Sequence, residues 1–138
     1  MKALIDTCVA VDFLQGREPF AEDAKSVFQS AAVEKFSGFI TAKSASDIYY
    51  LAHRTTHSDA ETRRIMRSLL SLVGMLDSTA SDVLRALSSE TADFEDAIMI
   101  ETAVRSRMDC IVTRNQKDYR KSPLPVCTPG EFQKLLEK

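Results

Sequence analysis

Four aspartates are placed where a sequence can gather acids: Asp6 directly after a short apolar run, Asp47 just beyond another, and Asp93 with Asp96 ahead of a helical pattern. Carboxylates that converge without cationic partners repel one another, and a hard divalent ion relieves that repulsion. An all-oxygen set of this kind suits Mg²⁺ or Mn²⁺ rather than Zn²⁺. The same residues carry a second reading. Aspartate is a common helix cap, Ser44-Ala45-Ser46-Asp47 has the form of a capping box, and Asp93 with Asp96 repeats its spacing. Spacing alone leaves both readings open. A further polar group, Thr113, Arg114, Asn115, Lys117 and Asp118, follows an apolar run. There Arg114 and Lys117 are expected either to hold a phosphate backbone or to be exposed turn residues.

Other chemistries find little support. Cys8, Cys110 and Cys127 are odd in number and form no C-x-x-C pair, so they read as buried thiols. His53 and His57 are four residues apart but lack the H-E-x-x-H context of a zinc hydrolase, and no base can be assigned by spacing to a Ser or Cys nucleophile. A phosphotransfer domain of the dehalogenase type would need a second Asp at position 8, where Cys8 stands.

The elements that must position these acids alternate between two periods. Lys2 to Ile5 predicts a strand, and Val9, Phe13 and Leu14 a short helix stopped by Gly16. A second helix is expected to begin at Pro19, with Ala21, Ala24, Phe28, Ala31 and Ala32 keeping a 3.6-residue period up to Lys35. Gly38 to Thr41 predicts a second strand, and Ile48, Leu51 and Ala52 share a helix face beyond Ser44. Ser58 caps a helix whose wide apolar stripe runs through Ile65, Leu69 and Leu72. Thr79 or Ser81 opens the next helix, Phe94 to Val104 form another, and Cys110 to Thr113 read as a buried strand. A short strand at Val126-Cys127 and a helix from Glu131 to Leu136 close the chain. Alternation of this kind predicts α-helical crossovers and a mostly parallel sheet, hence the α/β class. In such sheets ligands gather beyond the carboxyl ends of the strands, where Asp6 and Thr113 fall.

With 138 residues the chain is expected to form a single domain, 1–138. No apolar run reaches the roughly 20 residues of a bilayer span, and no signal peptide is evident, so a cytoplasmic protein without a membrane is expected. The net charge of −2 argues against bulk electrostatic coating of nucleic acid and leaves only local contact. Arg63, Arg64 and Arg67 form one basic cluster, read as a solvated helix face.

Four ordered segments, Leu4-Ile5-Asp6-Thr7-Cys8-Val9, Ser44 to Tyr50, Asp93-Phe94-Glu95-Asp96-Ala97 and Val112 to Tyr119, together with the ending Thr128-Pro129-Gly130-Glu131-Phe132, resemble a PIN domain. The resemblance implies a three-layer α/β/α sandwich around a mostly parallel sheet, and an acidic pocket that cleaves RNA with Mg²⁺ or Mn²⁺. Small bacterial members resemble VapC-type toxins, which implies RNA as substrate, a small antitoxin protein as partner and a homodimer. Carried over by motif, Asp6 matches the first acid, Asp47 the second and Asp96 the acid of the later helix. Asp6 and Asp96 are then the principal metal ligands, with Asp47 and Asp93 completing the set. Thr113, Arg114, Asn115, Lys117 and Asp118 are expected to contact RNA or support the ligands. Two positions depart from the family pattern: Cys8 stands where Asn, Ser or Thr is common, and Asn115 where many relatives carry a fourth acid. Both weaken the outer site, so the alternative is a PIN-like module that binds RNA or protein without cutting.

Overall fold

The computed structural model describes residues 1–138. In chain order the elements are β1 (Lys2–Ile5), α1 (Thr7–Gln15), α2 (Ala21–Ala32), β2 (Ser37–Thr41), α3 (Ala42–Thr56), α4 (Asp59–Leu72), β3 (Gly74–Leu76), α5 (Ala80–Leu87), α6 (Phe94–Arg105), β4 (Cys110–Val112), β5 (Val126–Cys127) and α7 (Pro129–Leu136). A single 3₁₀ turn, Gln116–Tyr119, lies between the last two strands. The five strands form one sheet in the order β3-β2-β1-β4-β5, and every pair is parallel.

Strand periodicity divides the core into two layers. Ala3, Ile5, Ile40, Cys110 and Val112 face one way and pack with Val9, Val27, Phe28, Leu69 and Phe132 of the surrounding helices. Leu4 and Ile111, the alternate residues, face the other way and meet Met99, Ile100 and Ala103 of α6. The result is the three-layer α/β/α sandwich, its strands buried on both faces as parallel strands require.

Most element boundaries follow local chemistry. Gly16 ends α1 in the left-handed region at φ 61°, and Ser58, Thr79 and Thr128 cap α4, α5 and α7 through their hydroxyls. Several elements differ from the sequence expectation, among them α7, which begins at Pro129 rather than Glu131. α3 begins at Ala42 with Thr41 rather than Ser44 region residues as its cap, because the Thr41 hydroxyl accepts the Ser44 N–H. α2 begins at Ala21, beyond Pro19. β3 is an additional edge strand of three residues whose pattern is too short to register as a strand. Its Gly74 is required by packing, since a Cβ there would fall 2.8 Å from the Phe39 ring.

The layer carrying the later acids is fastened by Asp82 of α5, which is fully buried and takes two hydrogen bonds from Arg105 of α6 at 2.8 and 2.9 Å. Burial by itself would raise the Asp82 pKa; Arg105, Thr79 and Thr102 outweigh it and hold it at about 2. Because the folded pKa is depressed, the stabilisation is complete above the unfolded value of 3.8 and is lost as pH falls toward about 2. Asp82→Ala is expected to destabilise the fold by about 3 kcal/mol at pH 7, leaving Arg105 without its partner. Urea denaturation at pH 7 and at pH 2.5 measures both the loss and its decline in acid.

Candidate functional site

The strand order reverses its direction of growth at β1: the chain moves outward to β2 and β3, then returns to β4 and β5 on the other side. The crevice beyond the carboxyl ends of β1 and β4 is therefore the topological switch point, where open α/β sheets bind ligands. Asp6 occupies it. Its N–H continues the ladder to the Val112 carbonyl at 2.9 Å, and its Oδ1 accepts the Thr7 N–H at 2.8 Å as the cap of α1. Oδ2 accepts the Thr113 hydroxyl at 2.7 Å and the Cys8 thiol at 3.5 Å. The residue is only 8% exposed. Burial raises its pKa despite the hydrogen bonds from Thr113, Cys8 and Thr7, so the charged form is under strain.

Asp96 enters from α6. Its N–H is held at 3.0 Å by Oδ1 of Asp93, the helix cap, which leaves the Asp96 carboxyl free to turn toward Asp6. Burial, then the charges of Asp6, Asp93 and Asp118, push its pKa up to about 6. Between the two acids stands the buried Tyr119, 1% exposed, whose hydroxyl makes no well-formed hydrogen bond although both carboxylates lie against it. Burial and these two charges raise the Tyr119 pKa, so the phenol stays protonated.

Asp47 lines the same cleft, of ≈ 330 Å³, as Asp6 and Asp96. It is already paired. Lys43 Nζ bonds Asp47 at 2.6 Å and Glu95 of α6 at 3.1 Å, linking α3 to α6 across the cleft. Partial burial works against the Lys43 charge, and the bonds to Asp47 and Glu95 more than offset it, raising its pKa. The cleft floor is a chain of hydroxyls in which Thr7 and Thr41 both donate to Ser44 Oγ, at 3.0 and 2.9 Å, with the Met99 sulfur 3.5 Å from Ser44.

These residues meet several needs of a hard cation. The amino ends of α1, α3 and α6 point into the site, the donors are oxygens, and Asp6 and Asp96 crowd one another with no cation bonded to either. The orphaned Tyr119 hydroxyl marks the same point. Burial and the Asp6 charge push the Cys8 thiol up to about 11, and a soft sulfur is a poor donor to a hard cation. No three Asp, Glu, His or Cys side chains stand close enough to form a closed cage. Two carboxylates with solvent completing the shell is the arrangement Mg²⁺ favours.

The remaining sequence candidates divide. Thr113 belongs to the site through Asp6, and its hydroxyl also accepts the Asn115 N–H at 3.1 Å. Arg114 is committed elsewhere: Nε donates at 2.7 Å to the buried Asp12 of α1, and the guanidinium lies 4.3 Å over the Phe20 ring. Asp93, Lys117 and Asp118 line a second, smaller depression with Arg120 and Lys121. Sequence reasoning gave no site role to Tyr119, Lys43, Thr41 or Ser44. Only the Thr41-to-Ser44 spacing carried a signal, since a threonine three residues ahead of a serine N–H is a cap pattern.

An α/β domain with two acids, Asp6 and Asp96, that no basic side chain pairs in the cleft at its switch point is the class that fold and geometry define. A PIN domain family model matches residues 2–117, and the chain belongs to that family. The fold is similar to a toxin–antitoxin complex from Klebsiella pneumoniae (TM-score 0.67, 24% identity, covering 92% of this chain and 97% of that one). It is also similar to VapBC2 from Rickettsia felis bound to a promoter DNA fragment (0.63, 14%, 91% and 97%) and to PAE2754 from Pyrobaculum aerophilum (0.67, 15%, 100% and 91%). Comparison with curated proteins gives no match.

Two measurements follow from these contacts. Arg114→Ala strands the buried Asp12 and is expected to cost about 3 kcal/mol, with a coupling of about 2 kcal/mol in the double-mutant cycle with Asp12→Ala, read by chemical denaturation. Asp96 behaves oppositely. A carboxyl whose folded pKa is raised destabilises the fold as pH climbs from about 4 to about 6, so metal-free protein loses stability across that window. Asp96→Asn is expected to stabilise the metal-free fold at pH 7 by about 1 kcal/mol, after allowance for screening at a half-exposed site. Melting curves in a chelator at pH 4.5 and 7 test it.

Proposed function

We propose that this chain is a metal-dependent ribonuclease that hydrolyses RNA phosphodiester bonds with Mg²⁺ or Mn²⁺, and that it serves as the toxin of a toxin–antitoxin pair. The observation that carries the reading is the pair Asp6 and Asp96, two carboxylates that repel one another at the switch point with no basic side chain bonded to either. Membership of the PIN family supports the nuclease assignment. The toxin role draws support from the toxin–antitoxin complexes of similar fold, and with it come a small antitoxin protein as partner and a homodimer as the working assembly.

Asp6 and Asp96 would be the principal ligands, with Asp47 and Asp93 completing the set directly or through water. The ion supplies charge neutralisation at the phosphoryl group and an activated water. The protein's own contribution is orientation. Thr113 and Thr7 fix both oxygens of Asp6, Asp93 fixes the start of α6, and Tyr119 holds a protonated hydroxyl against both ligands. Lys43 withholds Asp47 until substrate or cation competes for it. Asn115 acts by holding Thr113 through its N–H, while Lys117 and Asp118 bear on the site from the adjoining depression.

A second reading, a PIN-like binding module with a weakened site, is favoured by the engagement of Asp47 with Lys43 and by the absence of a closed cage. Cleavage and cation binding separate the two. Asp6→Asn and Asp96→Asn are each expected to lower Mn²⁺-dependent cleavage of single-stranded RNA by at least about 100-fold. Calorimetry with Mn²⁺ is expected to show binding that each substitution abolishes. Undiminished cleavage by the Asp6→Asn/Asp96→Asn protein sinks the ribonuclease reading, and absent Mn²⁺ binding by the unaltered chain establishes the module instead.

A further inference from the structure

The cleft extends beyond its acids. Along α3 the residues Lys43, Asp47, Tyr50 and Arg54 recur at intervals of four, three and four, so they form one line on the helix surface. All four line the cleft that holds Asp6 and Asp96. With a rise of 1.5 Å per residue, Tyr50 lies about 4.5 Å and Arg54 about 10 Å along the helix axis from Asp47.

The outer pair has no structural work to do. Tyr50 is 66% exposed, and Tyr49 packs its ring at 82° with 5.2 Å between centroids, which fixes Tyr50 without covering it. Tyr49 is itself held by Asp59, through a hydrogen bond of 3.0 Å. Arg54 enters no ion pair and is the one arginine that lines the cleft with Asp6 and Asp96, whereas Arg114 near the site is bound to Asp12. An oriented aromatic ring followed one turn later by a free guanidinium is the pairing that holds unstacked bases and their phosphates.

We propose that Tyr50 and Arg54 form a binding track for single-stranded RNA, with a base stacked on the Tyr50 ring and the neighbouring phosphate held by the Arg54 guanidinium. The track rests on the ribonuclease reading for its choice of ligand and shares one cleft with Asp6 and Asp96. Arg114, engaged by Asp12, is replaced in this role by Arg54. A duplex is disfavoured because its bases present no free face to Tyr50.

The test is fluorescence anisotropy of a labelled single-stranded RNA with the full chain carrying Asp6→Asn, so that binding is read without cleavage. Tyr50→Ala and Arg54→Gln are each expected to weaken binding about tenfold, Tyr50→Phe to preserve it, and a matched duplex to bind weakly in every variant. In the cleaving chain the same two substitutions raise KM about tenfold and leave kcat within about twofold. Unchanged RNA affinity in both variants, with circular dichroism intact, overturns the track and leaves the ribonuclease reading standing. Unchanged RNA affinity with altered sedimentation of Tyr50→Ala assigns the face to a second copy of the chain and also overturns it. Tyr50-dependent binding without any metal-dependent cleavage by the unaltered chain keeps the track and removes the ribonuclease.

Discussion

A carboxylate buried at the end of a central strand persists only where donors meet it, and Asp6 is met from three directions: the start of α1, the hydroxyl after β4 and the neighbouring thiol. Thr7 and Cys8 donate from the first turn of α1, and Thr113 from the loop after β4. The position of Asp6 therefore depends on β1 and β4 lying side by side and on α1 leaving β1 at once. None of the three donors carries a positive charge, so the acid is oriented without being neutralised. Asp96 is delivered into the same field by a helix whose cap is another aspartate, and the site accumulates negative charge that the polypeptide leaves unbalanced.

The protein does balance charge where structure alone is at stake. Asp12 and Asp82 are as buried as Asp6, yet each has an arginine bonded directly to it. Three buried aspartates thus divide into two ion pairs and one exception. The exception lies at the switch point: Lys43, which lines the same cleft, is spent on Asp47 and Glu95, and Arg114, whose charge reaches Asp6, is bonded to Asp12. The contrast locates chemistry more sharply than acidity alone, because aspartates are plentiful elsewhere on the surface.

Much of this was legible in the sequence, and the limits have physical causes. The strands β1, β2, β4 and β5 and the helices stood out through periodicity, and the order of Asp6, Asp47, Asp93 and Asp96 through motif. β3 was invisible because three residues carry no period. Asp47 and Asp93 illustrate a deeper limit. A cap, a lysine partner and a metal ligand use the same carboxyl group, and choosing among them requires knowing what lies across space. Asp93 proves to be the cap of α6 and Asp47 the partner of Lys43, which its i,i+4 spacing allowed but did not demand. Arg114 was misleading for the same reason: its partner Asp12 is 102 residues away in the chain. Tyr119 drew no notice because a tyrosine is usually core, and only its hydroxyl, facing two acids, distinguishes it.

The bridge from Lys43 to Glu95 has a mechanical side. The floor of the cleft is set by close packing and short hydroxyl contacts, which dissolved ions do not reach. Its mouth is set by an ion pair whose glutamate is 70% exposed, and such a pair weakens as the Debye length shortens. The link between α3 and α6 at the rim therefore loosens in salt, while the packed floor beneath it is held by contacts that salt does not screen.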